Sequence, residues 1–147
     1  MNRLVVIIVF LIAVFTNVNA QKNVDDKLAM QYYEQKQFDK AAAYFEKLYD
    51  KQPDAYFTYY FKCLIETKDY KTAEKITKRQ IKHSDANTHL YVKLGTVYRL
   101  MGSPDKEKDQ YNKAVKEVIP EQKLIFSLAH AFEDEELYDY GIEVDKK

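Results

Sequence analysis

Residues 38–54 read FDKAAAYFEKLYDKQPD, and the outline of this stretch recurs three more times along the chain. Ala41 within it, Ala73 in DYKTAEKITKRQ, Glu107 in SPDKEKDQYNKAV and Gly141 in LYDYGIEV stand 32, 34 and 34 residues apart. A second series, Ala29, Phe61, Gly95 and Ala129, keeps the same spacings and lies 12 residues before the first. Two series in phase mark internal repeats, and a period of this length belongs to stacked supersecondary units.

Each unit reads as a pair of amphipathic helices, A and B. In the first, Leu28, Ala29, Tyr32 and Tyr33 recur at helical spacing, and Gln35-Lys36-Gln37 makes a polar turn. Phe38, Ala41, Ala42, Phe45, Leu48 and Tyr49 then restart the apolar stripe, which Pro53 ends because its ring cannot continue a helix. The third unit repeats the plan with Leu94, Gly95 and Tyr98, a turn at Gly102-Ser103-Pro104, then Tyr111, Ala114 and Val115 before Pro120. Ser103 is placed as an N-cap with Pro104 at the first helical position.

These positions resemble the tetratricopeptide repeat family, whose 34-residue units carry a Leu, a small residue and an aromatic in helix A, then an aromatic, a small residue, an aromatic and Pro through helix B. The matches are Leu28, Ala29, Tyr32, Phe38, Ala41, Phe45 and Pro53 in the first unit, and Leu94, Gly95, Tyr98, Tyr111 and Ala114 in the third. The second matches through Tyr60, Leu64, Tyr70 and Ala73 but is two residues short, and it puts Phe61 where the family has a small residue. The fourth begins with Leu128, Ala129, Phe132, Tyr138 and Gly141 and then stops. The resemblance implies an all-α, right-handed α-solenoid of about three and a half helix pairs, with units at about 22–53, 54–87, 88–121 and 122–147. Ala29 and Ala41 would let helix A approach helix B, while the aromatics fill the gaps between stacked units.

The last helix B, from about Asp139 to Lys147, has no capping helix after it. Three readings stand open: a longer parent protein, an open end that docks on a partner or a second copy, and a frayed polar tail.

Composition narrows the function. Lys and Arg number 23 against 23 Asp and Glu, leaving no basic stripe for a phosphate backbone, so nucleic acid is not an expected partner. Only three Gly and three Pro beside 13 Tyr and eight Phe favour long, aromatic-packed helices over a β fold. The N-terminus has the three parts of a secretory signal: Arg3, the 12-residue apolar run from Leu4 to Phe15, and Val18-Asn19-Ala20 before Gln21. That run is too short to span a bilayer as a helix, so residues 1–20 are read as a signal peptide cleaved after Ala20. An exported, periplasmic or secreted protein without a stable membrane span is the expectation. Cys63 is the single cysteine and cannot form an internal disulfide; flanked by Tyr60, Phe61 and Leu64, it reads as a small buried hydrophobe.

Catalytic and metal-binding patterns do not emerge. His83 and His89 are six residues apart, which does not place two ligands on one helical face, and the Glu133–Glu136 run lacks the spacing of a calcium loop. No phosphate-binding Gly loop, nucleophile elbow or zincin helix occurs. The expectation is a protein that is not an enzyme and needs no cofactor.

What remains is the groove. In the family, the inner surface is lined by helix A residues opposite the A-to-B contact, and it receives a peptide or a partner's helix. Carried over, that face holds Asp26, Met30 and Tyr33, then Thr58, Lys62 and Glu66, then Val92, Thr96 and Arg99, and finally Phe126, His130 and Glu133. Lys62 and Arg99 suit carboxylates or carbonyls, and Met30, Tyr33 and Phe126 suit apolar side chains. The family's carboxylate clamp for chaperone C-termini is not expected: its Asn positions hold Met30 and Tyr59, and only Lys93 matches a cationic one. The leading expectation is therefore a protein- or peptide-binding scaffold in the cell envelope. The runner-up is the N-terminal accessory repeat region of a longer envelope enzyme or assembly protein.

Overall fold

The structure is a computed structural model that describes residues 24–83, 88–119 and 121–146. The signal-peptide reading and Pro120 fall outside these residues. Helices account for nearly all of the described chain, and they group into two compact units that divide after Thr67.

The first unit contains α1 (residues 24–34), α2 (Phe38–Lys51) and α3 (Pro53–Glu66). Ala29 on α1 and Ala41 on α2 are fully buried, as the small-residue series requires where two helices close on each other. Phe45, Leu48 and Tyr49 of α2 face Phe57, Tyr60 and Leu64 of α3 in one aromatic-rich core. Phe45 stacks on Tyr59 at 5.5 Å between ring centroids, and Tyr33 meets both rings edge-on at 6.0 and 5.4 Å. Pro53 does more than end a helix. Gln52 alone separates α2 from α3, and Pro53 occupies the first turn of α3, where its missing N–H costs nothing.

The second unit runs through α4 (Tyr70–His83), α5 (His89–Leu100), α6 (Pro104–Glu117), α7 (Gln122–Glu133) and α8 (Tyr138–Asp145). Tyr111, Val115, Leu128, Phe132 and Val144 are buried together, with Tyr140 packed on Tyr111 and Phe132 at 5.2 and 5.3 Å. Gly95 has a specific reason to be glycine: a Cβ there would overlap the Tyr111 ring. Its close partner is thus the aromatic of helix B, not the residue of the small series, Glu107. Ser103 is the residue before α6 with Pro104 behind it, but its hydroxyl makes no capping hydrogen bond, so Pro104 carries that helix start. The short α8 is anchored through Val144, which is fully buried.

The A-to-B turn is the same device in all four repeats. Lys36, Lys68, Gly102 and Glu136 have φ of 57°, 61°, 67° and 60°. They keep the 32, 34 and 34 spacing of the repeats, and only the third is the residue that adopts this left-handed region without a steric cost.

Candidate functional site

In the first unit, α1 and α3 bring their predicted face residues together. Tyr56 donates to Asp26 at 3.0 Å, tying α3 to α1. Tyr33 is half-buried against Tyr59, and its phenol is raised above the usual range, first by burial and then by Cys63, against the lowering pull of nearby Lys62. Lys62 and Glu66 form an ion pair at 2.7 Å one helical turn apart. Being exposed, this pair holds its geometry weakly and is available to exchange for a ligand's charges. Met30 is half-buried beside them in sequence register. Cys63, on the same helix, is fully buried and its thiol is pushed up to about 11 by that burial, so it is no nucleophile at neutral pH.

In the second unit a pocket of about 280 Å³ opens between the A-type helices α5 and α7. Helix α5 contributes His89, Val92 and Lys93; α7 and its C-terminal turn contribute Ser127, His130, Ala131, Asp134 and Glu135. The buried Val92 and half-buried Ala131 are apolar, while α5 supplies the Lys93 cation and the His89 imidazole and the end of α7 supplies the Asp134 and Glu135 carboxylates. Burial, helped by the Lys93 charge, holds His89 below the ordinary imidazole range, so it stays neutral and retains one donor and one acceptor nitrogen. Arg99 bridges α5 to this turn: its guanidinium lies 2.9 Å from the Glu135 carboxylate. His130 is exposed, with Glu133 at 3.5 Å and Asp134 at 3.8 Å.

The predicted face is therefore met unevenly. His130 lines the pocket, and Arg99 reaches its rim through Glu135. Thr96 does not reach the surface; it is buried and its hydroxyl donates to the Val92 carbonyl at 3.2 Å. Phe126 is 61% exposed and stands outside the pocket lining. His89, Asp134 and Glu135 were not placed on the face from sequence, and Lys93 entered there only as the one cationic match to the carboxylate clamp. Lys93 sits one helical position after Val92, and the two acids belong to a turn whose course depends on α7 ending at Glu133. Among the described residues no group of three or more metal-ligating side chains stands together, and no helix is long and apolar enough to cross a membrane.

Residues 25–55, spanning α1 and α2, match the family model described as tetratricopeptide repeat. That match covers one helix pair, and the later helix pairs repeat its plan along the described chain. A solved structure described as "Crystal structure of MamA" aligns with a TM-score of 0.57 at 20% identity, covering 91% of this chain and 80% of that one. That likeness shows the fold: an all-α helical-repeat solenoid. No curated protein matches the sequence significantly. Tetratricopeptide repeats are protein-interaction scaffolds, and proteins are the class of partner they imply.

Proposed function

We propose that this chain is a non-enzymatic scaffold of the cell envelope that holds a protein or peptide on the helix A faces of its repeats. The observation that carries the reading is the pocket between α5 and α7, where an apolar floor is flanked by His89 and Lys93 on one side and Asp134 and Glu135 on the other. An extended peptide offers both carbonyl acceptors and N–H donors along one edge, which matches this split of donors and acceptors. The Lys62–Glu66 pair beside Tyr33 gives the first unit a similar combination of exchangeable charge and aromatic surface. The N-terminal signal pattern in residues 1–20 supports export.

Site-specific photo-crosslinking in cells tests it, with probes at Lys62 and His130 and a control at exposed Lys116 on α6. Adducts of one partner from Lys62 or His130, absent at Lys116, are the expected result. Adducts from neither, in a protein that is folded and exported, overturn the groove reading. Fractionation of the same cells decides the compartment: a chain retained in the cytoplasm with residues 1–20 intact overturns the export reading.

A further inference from the structure

The repeat register shows how each helix B receives the next helix A, and α8, the last helix described, leaves the equivalent stripe exposed. Phe45, Thr77 and Tyr111 hold equivalent positions on α2, α4 and α6, four residues after Ala41, Ala73 and Glu107, and all three are buried. In the first unit, Phe45 is covered by Tyr56 and Tyr59 of the following helix A, at 6.2 and 5.5 Å. The equivalent residue on α8 is Asp145, which is exposed. One turn earlier on α8, Ile142 is 55% exposed. Its counterparts are Ala42, Glu74 and Lys108, and Glu74 accepts a hydrogen bond from Tyr98 of the following helix A at 3.0 Å.

The first described helix, α1, leaves the complementary stripe exposed. Tyr56, Tyr59 and Cys63 of α3 correspond to Leu90, Lys93 and Val97 of α5 and to Val24, Lys27 and Gln31 of α1. Val24 is 51% exposed, and Lys27 and Gln31 are exposed beside it on one stripe of α1.

We propose that α8 of one copy of this chain receives α1 of a second copy, continuing the repeat stack head to tail. The register sets the contacts: Asp145 takes the place of Phe45 and Lys27 the place of Tyr59, so the Phe45–Tyr59 stack within a chain becomes an Asp145–Lys27 ion pair between chains. Val24 of the incoming α1 lies beside Asp145's single methylene, and Tyr32, the counterpart of Tyr98, meets Ile142. This opposite-charge match is what selects a second copy as the occupant. Such a contact is heterologous, so each addition presents a fresh α8 and a fresh α1, and assembly proceeds past the dimer unless a ring closes.

Sedimentation velocity of the chain, purified as the cell processes it, tests the proposal. The expected result is a weight-average mass that rises with protein concentration and falls in high salt. Lys27→Glu and Asp145→Lys each weaken association about fivefold, and the double exchange restores it. Ile142→Asp weakens it at least as much, with helical circular dichroism unchanged. A wild-type chain that stays monomeric at every concentration overturns the proposal, because the two faces are then covered by something other than each other. A double exchange no better than either single variant overturns it equally, since association would then use other surfaces.

Discussion

The helix A to helix B contact is built in one register in both units but from different parts. In the first unit a small side chain, Ala29, and a buried Phe45 occupy the two positions; in the second they are Gly95 and Tyr111. The second arrangement has given up a methyl group and taken in a phenol whose ring fills the space above the glycine. Its hydroxyl is buried and makes no well-formed hydrogen bond, although Thr96 lies near enough to interact with it, and burial pushes its pKa up to about 12 against the lowering pull of Thr96 and then Arg99. The lesson is that a repeat position is a volume shared between two residues, so the identity of each is set by the other.

The largest effect expected is from Gly95→Ala. The added methyl overlaps the Tyr111 ring, which is held by Phe132 and Tyr140 and has little room to move. We expect a loss of about 1–3 kcal/mol in chemical denaturation. A cost near zero would mean that the contact is looser than the rings indicate. Gly141→Ala sharpens the same comparison from the other side. Its Cβ would lie 3.7 Å from the Ala129 carbonyl oxygen, an ordinary contact, so the substitution is expected to stabilise α8 by about 0.5–1 kcal/mol. Loss of stability there would show that the last repeat is packed as tightly as the third.

Tyr111→Phe removes the orphaned hydroxyl and keeps the ring. Relieving a buried unsatisfied group is expected to leave stability unchanged or raise it by about 1 kcal/mol, and a clear loss of thermal stability would reveal a partner for that oxygen. Replacing Lys36 by Gly at its φ of 57° makes the first unit's turn like that of the third, at Gly102. A gain of up to about 1 kcal/mol is expected, and the reverse change, Gly102→Lys, should cost a similar amount.

The smallest effect is in the pH profile. His89 titrates below its ordinary 6.5 in the folded chain because burial disfavours its charged form. Between the folded value and 6.5 the unfolded chain binds the proton and the folded one does not, so stability falls as pH drops through that window. His89→Gln should flatten this part of the stability profile, while an unchanged slope would assign it to another group.

Much of the fold is legible in the sequence. The paired series at 32, 34 and 34 residues fixed the helix pairs, and the small and aromatic positions named the buried residues Ala29, Ala41, Phe45, Leu94 and Phe132. The left-handed turns were not legible at Lys36, Lys68 and Glu136, since nothing in a Lys or a Glu announces a positive φ. The site was legible only in part. Helical spacing puts Val92, Thr96 and Arg99 on one line, but whether that line faces solvent depends on how closely α7 lies against α5. In the structure that line is buried at Val92 and Thr96, and only Arg99 emerges.

The sequence by itself determined the period, the polar turns at 35–37 and 102–104 and the classes of side chain at each repeat position, because these follow from local spacing along one chain. Only the tertiary structure decided that Gly95 exists for Tyr111, that Lys93 and His89 share a pocket with Asp134 and Glu135, and that Asp145 stands in the open where Phe45 and Tyr111 are covered. Those are relations between residues far apart in the chain, and they come into being only when separate helices compete for the same volume.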